Sequence, residues 1–384
     1  MFYNTFEISV PIWNWLFPFL DKNKIAPLAI LSSGKYRNKK QSKINQFTHL
    51  VWVPKVFEEN KMFSHLFYLL MTPFTILFKE ADLNVFYTQP PFSLPLLCFF
   101  SRLARTPYIV HMMDYHPDLM MVSGRIKKTS FIYKWLDKIN VKALKKAEKV
   151  IVLGSCMKNL FLSKGLKSES IELIPNISSI EEFKNQEVKR LVSFKKKYNV
   201  EDKLIILYAG NMGIAHEFQT LLNCVKDYKE SIHFFFVGKG NRRKEIEQFL
   251  LENKTDNITL FSYLSNEEFE MVLEVSNIHF ISLQNDFQGI MVPSKFYTSL
   301  AIGKPVIFEG NKSSEIAKVI KKFNCGLVVD HLDETKMHEK LNNLIDENVD
   351  LLKMGANAKK CYVENFNSDK FNEKYTSVII QCLK

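Results

Sequence analysis

The sequence has no closely paired cysteines: its six, Cys98, Cys156, Cys224, Cys325, Cys361 and Cys382, are scattered along 384 residues with no CxxC. That excludes a zinc ribbon or a disulfide framework and fits a reducing cytoplasm. No basic stretch with a small-residue cleavage site opens the chain, so no secretory leader is expected. One long uncharged run, "MFSHLFYLLMTPFTILF" from Met62 to Phe78, has 17 residues, with His65 inside it and Pro73 interrupting it. A spanning helix needs about 20 apolar residues, so this run reads as a buried or membrane-lying helix. Repeats with a period of about 20–50 residues are absent, and so are low-complexity tracts.

What is present is ordinary globular material, 46% hydrophobic and 24% charged, with 32 phenylalanines. A chain of 384 residues exceeds one core and implies two domains of roughly 150–200 residues each. Charge is segregated between them. Residues 1–200 hold 30 Lys and Arg against 15 Asp and Glu; residues 201–384 hold 22 against 26. A basic first half points to an anionic partner: nucleic acid, a membrane surface or a phosphorylated substrate. Nucleic acid falls away because no recognition module accompanies the charge.

From about Asn84 the chain alternates strands and helices. "NVFYTQ", "PYIVHMMD", "KVIVLG" and "SIELIPN" read as strands, and "SFIYKWLDKINVKALKKAEK" as a helix with a lysine-rich outer face. Ser178 to Lys203 is polar and reads as a helical connector. A second series follows: "LIILYAGN", "SIHFFFVGKG", "NITLFSYL", "IHFISLQ", "KPVIFEG" and "CGLVVD". Continuously apolar strands separated by helices imply parallel sheets covered on both faces. The fold class is therefore α/β, two doubly wound Rossmann-like domains facing across a cleft. Residues 1–180 form the first domain, 181–203 the connector, 204–365 the second domain and 366–384 a last helix crossing back.

Three turns at strand ends in the second half carry chemistry. "YAGNMG" places Gly210, Asn211 and Gly213 after a strand. "FFFVGKGNRRKEIE" places Gly238 and Gly240 after another, with Arg242 entering a helix. "VPSKFYTSLAIGKPVI" places Ser294 and Lys295 at the mouth of a third helix. Glycine lets backbone approach a ligand, helix-start amides attract phosphate oxygens, and lysine adds a point charge. Together they point to a nucleotide-diphosphate site.

These turns, with "NITLFSYLSNEEFEMVLEVSNIHFISL" and "NCGLVVD", resemble the donor domain of GT-B glycosyltransferases of family 4, the retaining enzymes of colanic-acid and O-antigen type. "PYIVHMMDYHPD" resembles that family's acceptor segment, and "LKKAEKVIVLGSCMKNLFLSKGLKSESIELIPN" its approach to the hinge, so the resemblance covers about Asn84 to Val329. It implies backbone contacts to the diphosphate at Gly210, Asn211, Gly213, Gly238 and Gly240, with Arg242, Ser294 and Lys295 on the phosphates. Lys295 also has a catalytic role, on the leaving group. Asp114 is the expected base or orienting group for the acceptor hydroxyl, with His111, His116 and Asp118 beside it. No cofactor and no metal are implied, since the nucleotide sugar is a substrate. Two departures stand out. The family carries a ribose-binding glutamate where this chain has Thr298, and the opening "MFYNTFEISVPIWNWLFPFL" reads as a loop and helix with the first strand missing.

The implied activity moves a sugar from a UDP-sugar to a polyprenyl-diphosphate-linked saccharide in surface-polysaccharide synthesis. A UDP-sugar 2-epimerase and a silent nucleotide-binding subunit share the fold and are the alternatives. Lys127, Lys128, Lys134, Lys138, Lys142, Lys145, Lys146 and Lys149, interleaved with Phe131, Tyr133 and Trp135, suggest peripheral docking on the inner face of the cell membrane. The apolar segments Ile12–Leu20 and Met62–Phe78 are expected to add insertion.

Overall fold

The computed structural model describes residues 1–3, 10–32, 47–51, 61–88, 92–178, 180, 183, 186–261 and 264–383. The sequence expectations for the loop at residues 4–9, for part of the connector (181, 182, 184 and 185) and for residues 262 and 263 lie outside these. The chain divides into two compact units: Met1–Ser179 with Gly289–Val292 and Ser368–Lys384, and Ile180–Gln288 with Pro293–Asn367.

The first unit is built on seven strands: β1 (Phe2–Tyr3), β2 (Ala29–Ser32), β3 (Thr48–Val51), β4 (Asn84–Tyr87), β5 (Tyr108–His111), β6 (Lys149–Val152) and β7 (Ile171–Leu173). Their order is β3-β2-β1-β4-β5-β6-β7, and all pairs are parallel. The first strand is therefore present, correcting the expectation that it is missing. Phe2 and Tyr3 pair with Ala29 and Ile30 on one side and with Val85 and Phe86 on the other. Two residues are too few to show a strand period in sequence.

Strand side chains alternate between two cores, as the pleat requires. Tyr3, Ile30, Phe86 and Val110 face α2 (Lys61–Phe78), α3 (Ser93–Leu103) and α5 (Phe131–Leu144), with α4 (Asp118–Val122) and α6 (Ser155–Ser163) nearby in sequence. Phe2, Ala29, Val85 and Ile109 face α1 (Val10–Lys22). Trp13, Leu16, Phe17 and Leu20 of α1 are fully buried. The Ile12–Leu20 segment is thus a core helix and not a membrane anchor; its apolar residues are covered by a helix more than 350 positions away in sequence, invisible to local patterning.

The second unit carries α7 (Val188–Lys197), β8 (Leu204–Ala209), α8 (Gln219–Cys224), β9 (Ile232–Val237), α9 (Arg243–Asn253), β10 (Ile258–Phe261), α10 (Asn266–Val275), β11 (Ile278–Ser282), α11 (Lys295–Ala301), β12 (Val306–Glu309), α12 (Glu315–Phe323), β13 (Gly326–Val329), α13 (Glu334–Ile345) and α14 (Leu351–Asn365). The sheet order is β10-β9-β8-β11-β12-β13, again all parallel. A capping box starts α10: Ser265 Oγ accepts from Glu268 N, and Glu268 returns a carboxylate to Ser265 N. The last helix, α15 (Ser368–Cys382), belongs to the first unit.

Strand order reverses between β8 and β11, which makes their carboxyl ends the switch point where open α/β sheets bind ligands. The sequence-derived glycine turns follow β8 and β9, one of the two at this switch point.

Candidate active site

β8 and β9 run in register to Ala209 and Val237, and each strand then ends in a glycine. The two turns nest against each other. Gly210 N donates to Val237 O, Met212 N to Lys239 O, and Arg242 N to Met212 O. A Cβ on Gly238 would lie 1.9 Å from Gly210 O, and one on Gly240 2.3 Å from Met212 O. Both residues also have φ near +143°. Glycine is required here by chain meeting chain. Asn211 is exposed at the rim, with its amide close to Gly213, and its carbonyl accepts from Tyr208 Oη at 2.7 Å.

Lys295 opens α11 after Pro293 and Ser294. Ser294 is exposed and makes no side-chain cap. The lysine does not point to solvent. Its Cε passes beneath Gly210, and Nζ donates to Tyr208 Oη and, at 3.2 Å, to His216 Nε2. Nζ also sits 3.9 Å from the centroid of the Tyr208 ring. Thr298, one turn along, shares the face of α11 that carries Lys295 and is half-buried.

His216 and Tyr208 were not singled out from sequence. His216 Nδ1 lies 2.7 Å from Ser282 O, at the end of β11. A carbonyl only accepts, so Nδ1 carries the proton and Nε2 offers its lone pair to Lys295. His216 thus spans the switch point and fixes the ammonium there. Burial, then the nearby Lys295, pushes the His216 pKa down to about 3, keeping the ring neutral. Burial also drives the Lys295 pKa well below the usual lysine value. Among the described residues no carboxylate pairs with Lys295. A buried ammonium held only by neutral groups is costly unless an anion joins it.

Arg242 behaves differently from its sequence expectation. Its guanidinium lies 3.1 Å from Glu217 Oε2 and 3.4 Å from Glu245 Oε2, so its charge is already matched. Glu217, immediately after His216, uses Oε1 to accept from Phe218 N and Gln219 N at 2.9 Å each, capping the approach to α8. Its neighbour Arg243 donates to Gly238 O and Phe261 O, at 2.9 and 2.7 Å, and holds the glycine turn in place. Arg242→Gln is expected to change UDP affinity by less than about threefold while lowering stability by roughly 1 kcal/mol, as for a partly exposed ion pair. Calorimetric titration and thermal melts check both.

In the first unit, Asp114 follows β5 and is half-buried. Met113 N and Asp114 N donate to Thr88 Oγ1 at 3.1 and 3.3 Å, which fixes the loop between the ends of β4 and β5. Burial pushes the Asp114 carboxyl up to about 6. His116 is half-buried, its pKa lowered to about 4 by burial and then Arg125; its Nδ1 has no hydrogen-bond partner among the described residues. Two expected acceptor residues are used internally. His111 is fully buried, with Nδ1 3.3 Å from Tyr375 Oη. It is a core residue because β5 directs it under α15. Asp118 accepts from Tyr133 Oη at 2.5 Å and pairs with Lys164 at 3.2 Å; Lys164 also pairs with Asp137 at 2.7 Å. That cluster ties α4, α5 and the end of α6 together, and Asp118 is buried within it.

Comparison with known proteins places the chain. Residues 190–361 match the family described as Glycosyl transferases group 1. A relative named a probable glycosyltransferase, WbjE of Pseudomonas aeruginosa, is 22% identical over 304 residues, covering 78% of this chain and 75% of WbjE. A second, named for colanic acid biosynthesis, is the glycosyl transferase WcaI of Escherichia coli strain K12, 21% identical over 236 residues, or 60% of this chain and 58% of WcaI. Among solved structures, HepE of Anabaena in complex with UDP superposes with a TM-score of 0.74 at 12% identity, covering 99% of both chains. The same protein with UDP-glucose gives 0.75.

Proposed function

The chain is a glycosyltransferase of the GT-B fold with a group 1 domain at residues 190–361, and on that premise we propose that it moves a sugar from a UDP-sugar to a lipid-linked saccharide. Transfer proceeds with retention of configuration, in surface-polysaccharide synthesis, with the protein peripheral on the inner face of the cell membrane. The observation that carries the donor half is Lys295, an ammonium set among neutral partners at the switch point of a parallel sheet. A diphosphate supplies the anion that this site lacks. The UDP and UDP-glucose complexes of HepE support uracil as the base. The name of WcaI supports a polysaccharide product, and the surplus of basic residues in the first half suits a diphosphate-linked acceptor.

In this reading the bond from the sugar's anomeric carbon to the diphosphate oxygen breaks, and the electron pair stays on the phosphate. Lys295, held by Tyr208 and His216, stabilises the growing charge as a fixed, preorganised cation. The positive charge needed at the leaving group comes from the chain itself, so the reaction runs without a metal or cofactor. Backbone at Gly210–Gly213 and Gly238–Gly240 lines the diphosphate, Ser294 reaches a phosphate oxygen, and Thr298 meets the ribose with a hydroxyl. Arg242 is left out because Glu217 and Glu245 already match it. Asp114 takes the proton of the acceptor hydroxyl as the new glycosidic bond forms.

Incubation with UDP-sugars and membrane lipid extract, followed by mass spectrometry, tests the proposal. A lipid heavier by one sugar, together with free UDP, is expected; an epimerised UDP-sugar formed without acceptor, or no turnover of any donor, overturns it. Asp114→Asn is expected to slow transfer about 100-fold or more with the Kd for UDP unchanged. In the wild type the rate should rise with pH through about 6 as the carboxyl ionises, and the variant should lose that limb.

A further inference from the structure

Helix α2 is apolar on two sides. Tyr68, Thr72 and Ile76, four residues apart, are buried against the first unit's sheet. Leu66, Leu70, Phe74 and Phe78, on the opposite side, are exposed, Phe74 to 54% and Phe78 to 80%. Only Lys61, its first residue, is charged. A soluble helix with one buried face normally turns a polar face outward, and this one does not.

The neighbouring helices continue the pattern. α3 packs against α2, and α5 against α3. α3 buries Leu94, Leu97 and Ser101 while exposing Leu96, Phe99 and Leu103, with Phe99 61% exposed. α5 exposes Phe131, Ile132 and Trp135 at its start and then Lys134, Lys138 and Lys142 at four-residue spacing. Three adjacent helices thus share one apolar face edged by cations. The sequence from residue 93 to 146 holds ten Lys and Arg against three Asp and Glu. Those three acids do not offset the charge outside: Asp118 and Asp137 are paired with Lys164, and Asp114 is half-buried. Lys149 drops out of the basic set because it pairs with Glu172 at 2.7 Å.

We propose that the face formed by α2, α3 and the start of α5 inserts into an anionic lipid leaflet, with the lysine row of α5 on the headgroups. Charge selects this occupant. A second copy docked on the same face by two-fold symmetry would set like charges against each other, whereas phospholipid headgroups meet both the apolar area and the cations. No described helix is long and apolar enough to cross a membrane. At about 27 Å for 18 residues, α2 lies along the surface, buried on its other side by its own sheet. This proposal rests on the reading that the acceptor is lipid-linked, and it adds which surface meets the lipid.

Vesicle flotation tests it, with phosphatidylcholine alone and with phosphatidylglycerol added. Wild type should float with the anionic vesicles and be released by high salt. Phe74→Glu with Phe99→Glu should weaken partitioning about tenfold or more, since both side chains would be withdrawn from hydrocarbon. Each of Lys134→Gln, Lys138→Gln and Lys142→Gln should weaken it about fivefold. Leu352→Glu, at a still more exposed apolar residue of the second unit, should leave it unchanged. These positions are exposed, and circular dichroism melts of each variant verify the fold. Absence of flotation, flotation unaffected by the phenylalanine changes, or a wild-type dimer that Phe99→Glu dissolves would each overturn the surface. Failure of the proposed function appears separately, as no sugar transferred to membrane lipid extract with flotation intact.

Discussion

Lys295→Met is expected to make the free protein more stable and the UDP complex weaker, two opposite shifts from one substitution. In the free protein the ammonium is buried against Tyr208 and His216 with no carboxylate among the described residues. Removing it should stabilise the chain by on the order of 1 kcal/mol, as at other strained functional positions. In a unit of this size that is roughly 2–4 °C in Tm. UDP binding should fall by about 10–150-fold, the loss of charge-assisted hydrogen bonds worth roughly 1.5–3 kcal/mol. With UDP at about 100 times its Kd the wild type gains about 2.7 kcal/mol, so the Tm order reverses on adding nucleotide. The pH dependence follows from the sign of the shift. The folded lysine pKa is depressed, so the unfolded chain binds more protons between that value and the ordinary one of about 10.4. Wild-type stability therefore rises with pH through this window, and the methionine variant lacks that slope. Melts with and without UDP at two pH values decide it; unchanged UDP affinity removes Lys295 from the site.

Gly238→Ala is expected to abolish the cooperative unfolding of the second unit and UDP binding with it. The added methyl would lie 1.9 Å from Gly210 O, a backbone atom that itself follows β8, and φ is +143°. Neither partner can retreat without breaking the Gly210 N to Val237 O bond or the strand pairing behind it. The cost should exceed about 4 kcal/mol, at the severe end for single substitutions. Gly124→Ala isolates the dihedral contribution, because φ is +74° there but no heavy atom lies within 4 Å. It should cost only about 1–2 kcal/mol and leave UDP affinity unchanged. Circular dichroism melts and UDP titration of the two variants test the contrast, and a Gly238→Ala protein that binds UDP normally would refute the nested-turn account.

The legible parts of this protein were those whose signal is local. Continuous apolar runs such as "HFFFV" announced parallel strands, and the glycines after β8 and β9 announced tight turns. Lys295 stands out in the sequence because it sits between a proline turn and a helix. What stayed hidden depends on partners remote in sequence. His216 acquires its role from Ser282 and Lys295, 66 and 79 residues away, and no local pattern marks it. Arg242 reads from sequence as a phosphate ligand, and its pairing with Glu217 is not visible there. His111 and the apolar α1 were misread for one reason: both lie beneath α15, the final helix. The outward stripe of α3 was equally illegible, since period alone does not tell which face of an apolar helix the sheet covers.

That final helix has a consequence for how the chain is made. Tyr375 of α15 sits 3.3 Å from both Tyr87 Oη and His111 Nδ1, and its ring lies 6.4 Å from that of Phe2. Phe371, Val378 and Ile379 close the same core. The amino-terminal unit is therefore completed by residues synthesised only after the whole of the second unit. During synthesis its half-built sheet must wait, greasy side uncovered, while the intervening unit emerges and folds, a delay in which chaperones have a natural client.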